Sequence, residues 1–397
     1  MVWHVRCLKD AVMPIIWLNC IFCMGVFEIP KHRPRLFLSV IYTLMMMIGY
    51  FVLLYNGILI FAYSGNLTLF YCVLVVNILV ATCSILLFWR KSQKTEILLK
   101  KMGHADDTLE ALGIKKNYRK TFYDVLGCTV IWVASILLLS ITHAMWMWHD
   151  IKYGQNFYIA LCFSIPIMIN SVVDLTSCSL IRCVKLKFQY INILVNDVVL
   201  SANDAGILKI HNKPDNTPIA IVRSNYRNNK DTIVHLLQTL RQLHLELTRI
   251  AHDINGAYCL QILLEMAVHF TIITVVLYSL YSVIIGTTLR MAEENEKIVA
   301  MVVWGTTYSI KIIVMNNICT TASYESYKTG EIIQTFDGSV LNDELREEIR
   351  QFTEQIILNS LDFTAAGFFK IDNVLTGSFF ATVTTYVVIL IQMNTPV

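Results

Sequence analysis

The sequence predicts an all-α, seven-transmembrane-helix membrane protein, with an intracellular N-terminus, an extracellular C-terminus and a cytosolic helical anchor. Three observations carry this. Of the 397 residues 55% are apolar and 15% are charged, against about 25% charged in a soluble domain. The apolar residues fall in seven blocks, most of them longer than the roughly 20 residues that cross a bilayer. Lys and Arg alternate in abundance between successive connecting segments, which sets orientation. The composition argues against a water-soluble enzyme, and a net charge of +3 provides no basic field for nucleic acid.

In chain order, residues 1–35 form a cytosolic or interfacial segment. Its apolar stretch from Ala11 to Phe27 is interrupted by Pro14 and followed by Lys31, Arg33 and Arg35. It lacks a small-residue cleavage site, so it reads as a short segment at the membrane surface and not as a signal peptide. The 36–183 region supplies spans one to four (36–63, 67–89, 121–148 and 156–183). The next unit, 184–257, is a cytosolic loop and anchor helix. The 258–322 region supplies spans five and six (258–286 and 298–322). A second cytosolic anchor helix and the approach to the last span occupy 323–373. The last helix, in 374–397, is the shortest span.

The links 64–66, 149–155 and 287–297 hold three Lys and Arg residues, whereas the alternate segments, the third counted from Arg182, hold 28, and Lys311 lies inside a span. This bias places the N-terminus in the cytosol, the reverse of a G-protein-coupled receptor. A secondary transporter is disfavoured too, because neither internal repeats nor paired broken helices are visible. None of the 11 cysteines falls in the three short outer links, so these links carry no disulfide framework. Cys20 and Cys23 form a CxxC inside an apolar run, which reads as packing. The sequon Asn66-Leu67-Thr68 faces outward but close to the bilayer.

Two cytosolic helices are amphipathic. Leu236, Leu237, Leu240, Leu243, Leu247 and Ile250 recur at helical spacing and extend the fifth span below the membrane. Leu341, Leu345, Ile349, Phe352 and Ile356 form a second stripe, with Asn342 as N-cap and Glu344, Glu347, Glu348, Arg350 and Glu354 on the other faces. This stripe needs a partner, either neighbouring cytosolic helices or another subunit. Residues 213–231 read as a turn-rich loop. His235, His244 and His252 read as surface residues. No Walker A loop, HExxH or nucleophile elbow is present. No cofactor, no metal site and no catalytic residue are expected.

The last helix carries Thr385-Tyr386, five apolar residues, then Gln392 and Met393. An amide facing lipid would be left without partners, so Gln392 should face protein or water. Thr385, Ile389, Gln392, Met393 and Pro396 share one face, which either lines a pore or packs within one subunit. The Thr385, Tyr386 and Gln392 motif at the extreme C-terminus resembles that of insect gustatory receptors, with Met393 where Phe is usual. The run from Phe363 to Asp372 also resembles that family's approach to its last helix.

The resemblance implies a ligand-gated, non-selective cation channel of four subunits in the plasma membrane of chemosensory neurons. The partners implied are a small-molecule tastant, membrane lipid, permeating cations and other copies of the chain or related subunits. Ile389, Gln392 and Met393 would then form the pore constriction, where apolar rings exclude water and the amide ring hydrates ions. Met is more flexible than Phe, so either the closed gate would be leakier or Ile389 would carry more of it.

With that topology, the outer halves of spans two to six surround a ligand pocket. Its candidates are His143, Trp146, Tyr158, Thr274, Tyr278, Trp304, Thr307 and Tyr308, which mix aromatic faces with a few polar groups. Some aromatics, Trp148 and Tyr281 among them, fit an interfacial belt instead. Lys311 sits mid-span, with Asp174 or Glu265 as a possible partner. A bitter or noxious ligand is favoured, with a fructose-like sugar second.

Overall fold

The computed structural model describes residues 5, 7–27, 35–62, 68–146, 155–207, 230–286, 291–336 and 342–394. The sequon Asn66, the 213–229 loop residues, Trp148, Leu341 and Pro396 lie outside them, as does the side chain of Trp146. The described helices are α1 (Leu8–Ala11), α2 (Met13–Ile21), α3 (Leu36–Ala62), α4 (Thr68–Ala111), α5 (Tyr118–Trp146), α6 (Gln155–Ile207), α7 (Lys230–Gly286), α8 (Met291–Ile333), α9 (Asp343–Leu358) and α10 (Asn373–Asn394). Seven of these, α3 to α8 and α10, are long and apolar enough to cross a membrane. The chain is a multi-pass membrane protein.

The helices differ most in length. With 57 residues, α7 runs roughly 85 Å, nearly three times the hydrocarbon thickness of about 30 Å. The 53 residues of α6 and the 44 of α4 also overrun the bilayer. They project at the end that carries most of the Lys and Arg, here called the basic end. α6, α7 and α8 pack against one another along their lengths, with α4 beside α6 and α7 and α5 beside α6 and α8. α3 packs on α6, and α10 on α7 and α8.

Pro166 lies inside α6 and cannot donate to the carbonyl four residues back. That carbonyl belongs to Cys162, and the Tyr50 hydroxyl of α3 donates to it at 3.3 Å. The same contact is reinforced where the Tyr158 hydroxyl donates to Leu53 O at 2.7 Å. A carbonyl left free within one span thus docks its neighbour.

The N-terminal segment differs from expectation. α1 and α2 do not only lie along a surface: they pack on α5 and α6 and bury Leu8, Val12, Ile15 and Met24. The Asn19 amide, buried, donates to Thr176 Oγ1 at 2.9 Å, which explains a polar residue in this apolar run.

At the basic end, α9 lays its stripe on α7 and α8, so neighbouring helices of the same chain cover Leu345, Phe352 and Ile356. Asn342 caps α9, its side chain accepting from Leu345 N–H at 3.0 Å. We predict that Asn342→Ala lowers stability by about 1 kcal/mol, read as a lower melting temperature of detergent-purified protein. On the exposed face, the Arg350 guanidinium and the Gln351 amide hold the Glu347 carboxyl down at about 2.

Two expectations fail here. His244 is buried and not on the surface: its Nε2 lies 3.1 Å from Ser326 O, and its ring lies 5.1 Å from Phe188 and 5.6 Å from Phe352. His235 and His252 are exposed as expected. Glu348 is also buried, where Arg241 donates to it at 2.5 Å.

A short hairpin, β1 (Thr364–Ala365) with β2 (Phe369–Lys370), departs from the purely helical expectation. Ala366 and Gly367 turn it at φ 51° and 80°, and Phe368 N–H closes the turn onto Ala365 O at 3.0 Å. Asn255 of α7 receives the strand, its Oδ1 accepting from Thr364 N–H at 3.1 Å. The hairpin thereby fixes where α10 begins.

Candidate functional site

Three groups of side chains stand out between α4 and α10. The first is a run of rings. His143 of α5 lies 5.0 Å from Phe163 of α6 and 5.6 Å from Trp304 of α8. Trp304 stacks on Tyr308 one turn along at 5.9 Å, and Tyr308 meets His269 of α7 edge-on at 5.3 Å. Helical spacing explains the alignment, since residues four apart share a face. Val73, Asn77, Ile272, Val276, His143 and Trp304 enclose a cavity of only about 30 Å³. Beside it, the buried Trp304 Nε1 and Thr274 Oγ1 have no hydrogen-bond partner among the described residues.

The second group lies below the rings, in a larger cavity of about 430 Å³ among α5 to α8. Thr307, Lys311, Asp174, Glu265 and His269 all line it. Lys311 does not pair with a carboxylate as expected. Its ammonium donates to Ser171 Oγ and sits 5.0 Å from the Tyr308 ring centre. Asp174 lies 3.7 Å from His269 Nε2, and Glu265 is 2% exposed.

The third group is α10. Val383 is its buried residue, and Phe379, Phe380 and Val387 pack against the core. Thr385, Tyr386, Ile389, Gln392 and Met393 are exposed in the single chain. Tyr386 is held on one side, where Phe270 of α7 meets it edge-on at 5.4 Å and also meets Phe379 at 5.9 Å.

With this geometry in view, the comparisons are specific. A family model described as 7tm Chemosensory receptor matches residues 12–394. The chain belongs to that family. Its relatives include three receptors of Drosophila melanogaster. Gustatory receptor 28b is 22% identical over 76% of this chain and 65% of its own length. The gustatory receptor for sugar taste 43a is 23% identical over 40% and 36%. The gustatory receptor for bitter taste 66a is 31% identical over 46% and 35%. The matches thus span less than two thirds of each relative's length. The insect olfactory receptor OR5 of Machilis hrabei shares the fold, with a TM-score of 0.66 at 16% identity, covering 98% of this chain and 99% of that one. The receptor is thus an insect gustatory receptor relative with an olfactory-receptor fold.

The receptor brings His143, Trp304 and Tyr308 together, buries Thr274 on α7 and places Thr307 in the larger cavity. Tyr278 is half-buried near the far end of α7. Tyr158 is turned to α3, where its hydroxyl donates to Leu53 O. His269 was missed by sequence reasoning. Its signal was available in the Glu265 to His269 spacing of four, which puts both on one face of α7.

Proposed function

We propose that this receptor is a tastant-gated, non-selective cation channel in the plasma membrane of chemosensory neurons, assembled from four copies with the N-terminus and basic end in the cytosol. In this reading, residues 184–257 and 323–373 make the anchor, and α10 from each copy lines a shared pore. The observation that carries it is the near-absence of burial along α10. Only 6% of its span window is buried within one chain, the same as in α3, but α10 also bears the Thr385, Tyr386 and Gln392 motif, with Thr385 and Gln392 exposed. Lipid is a poor environment for an amide, whereas a wet axial conduit suits it. Ile389 and Met393 supply the apolar constriction, and Gln392 lies beside them.

The tastant enters against His143, Trp304 and Tyr308. The space there is too small for it, so binding must part α4, α6, α7 and α8. A ligand that fits only the widened arrangement shifts the population toward it. Moving from 1% to 99% open needs about 5.5 kcal/mol of differential affinity, or roughly 1.4 kcal/mol in each of four pockets. The mostly apolar lining leaves a sugar few hydrogen-bond partners, which favours a bitter or noxious compound. The sugar reading is kept by the match to the receptor named for sugar taste.

Cells expressing only this chain should give ligand-evoked currents with bitter compounds. Trp304→Ala should raise the half-maximal concentration about tenfold, the value of one lost stacking contact. Silence to bitter compounds with a response to fructose-like sugars would exchange the two ligand classes. Absence of any cation current from the purified, reconstituted chain would remove the channel reading.

A further inference from the structure

The acidic cluster in the larger cavity has no assigned role. Glu265 and His269 lie four residues apart on α7 and face Asp174 of α6. One ligand atom from each of the three lies within 4.8 Å of the others. Glu265 is 2% and His269 4% exposed. Both oxygens of Asp174, Glu265 Oε1 and both ring nitrogens of His269 are buried without a hydrogen-bond partner. Two buried carboxylates are either protonated or compensated by positive charge. Lys311 is the nearby cation, but its ammonium is directed to Ser171, and among the described residues no ion pair joins it to either carboxylate.

We infer that Asp174, Glu265 and His269 form a site for one divalent transition-metal ion of the zinc class. An imidazole nitrogen with two carboxylate oxygens is a mixed donor set that zinc accepts, whereas calcium and magnesium take oxygen donors. Donor atoms on one tetrahedral zinc are roughly 3.3 Å apart, so small rotamer changes close the set around the ion. The cavity leaves a fourth position open. Arg182, 47% exposed and 3.8 Å from Asp124, lines the same cavity. The ion would tie α6 to α7 one residue before Phe270, the ring on which Tyr386 and Phe379 of α10 rest. The metal would therefore act as a modulator of the last helix.

Zinc alone, titrated calorimetrically into the full-length receptor purified in detergent, tests this apart from any channel activity. One ion per chain is expected. His269→Gln and Glu265→Gln should each weaken binding at least about tenfold. Cobalt in place of zinc should give a visible absorption band that the His269→Gln receptor lacks. Because either substitution can disturb folding, Lys311→Met forms an independent arm. Removing this nearby positive charge should tighten zinc binding severalfold. No saturable binding, or unchanged affinity in folded His269→Gln and Glu265→Gln receptors, overturns the site. Unchanged or weaker binding by Lys311→Met overturns it as well.

Discussion

Ile389→Ala is expected to raise the resting cation current about tenfold, equivalent to about 1.4 kcal/mol removed from the closed state. Ile389 is 43% exposed and Met393 79% exposed in one chain, yet both belong to a helix whose other side is seated on α7 and α8. Brought together around an axis, four such side chains form a constriction narrow and apolar enough to dewet. Alanine removes three carbons from each and lets water through. Gln392→Ala should act differently, lowering single-channel conductance while leaving the resting current nearly unchanged, because in the proposed pore the amide would hydrate ions only once the apolar rings have parted. Single-channel recording separates the two. Unchanged conductance and leak in both variants would take these residues out of the pore.

Arg241→Met is expected to cost about 3 kcal/mol of stability, because it strands the Glu348 carboxylate in the interior. Glu348 is 5% exposed, and Arg241 is its ion-pair partner at 2.5 Å. The double substitution Arg241→Met with Glu348→Met should recover most of the loss, since replacing both members of a buried pair by apolar groups is often neutral. Thermal melts of the purified receptor measure both. If the single variant melts as wild type, the pair is solvated and α9 is held by its apolar stripe alone.

Much of the architecture was legible from the chain because a bilayer imposes simple demands. Apolar blocks long enough to cross it became helices, and the C-terminal Thr385, Tyr386 and Gln392 pattern pointed to the family that the comparisons then supplied. Asn342 was readable as a cap because capping is local. What escaped prediction depends on how many sides of a helix are covered. The basic half of α7 is flanked by α4, α6, α8 and α9, so its buried face is wider than a single stripe and takes in His244. Glu348 faces the same crowded wall from α9. The bond from the Tyr158 hydroxyl to Leu53 O of α3 is a tertiary contact that helical spacing cannot show. His269 sits in register with Ile262, Met266 and Ile273 and was therefore indistinguishable from ordinary core by periodicity. The two-residue strands of the hairpin are too short to show any alternation.

The unbroken course of α7 has a mechanical consequence. One rod contributes His269 to the chamber, Phe270 to the support of the terminal helix, Asn255 to the hairpin beneath it and Arg241 to the base. In the proposed channel, a tilt of this helix that makes room for a guest near Trp304 would also move the support under Tyr386.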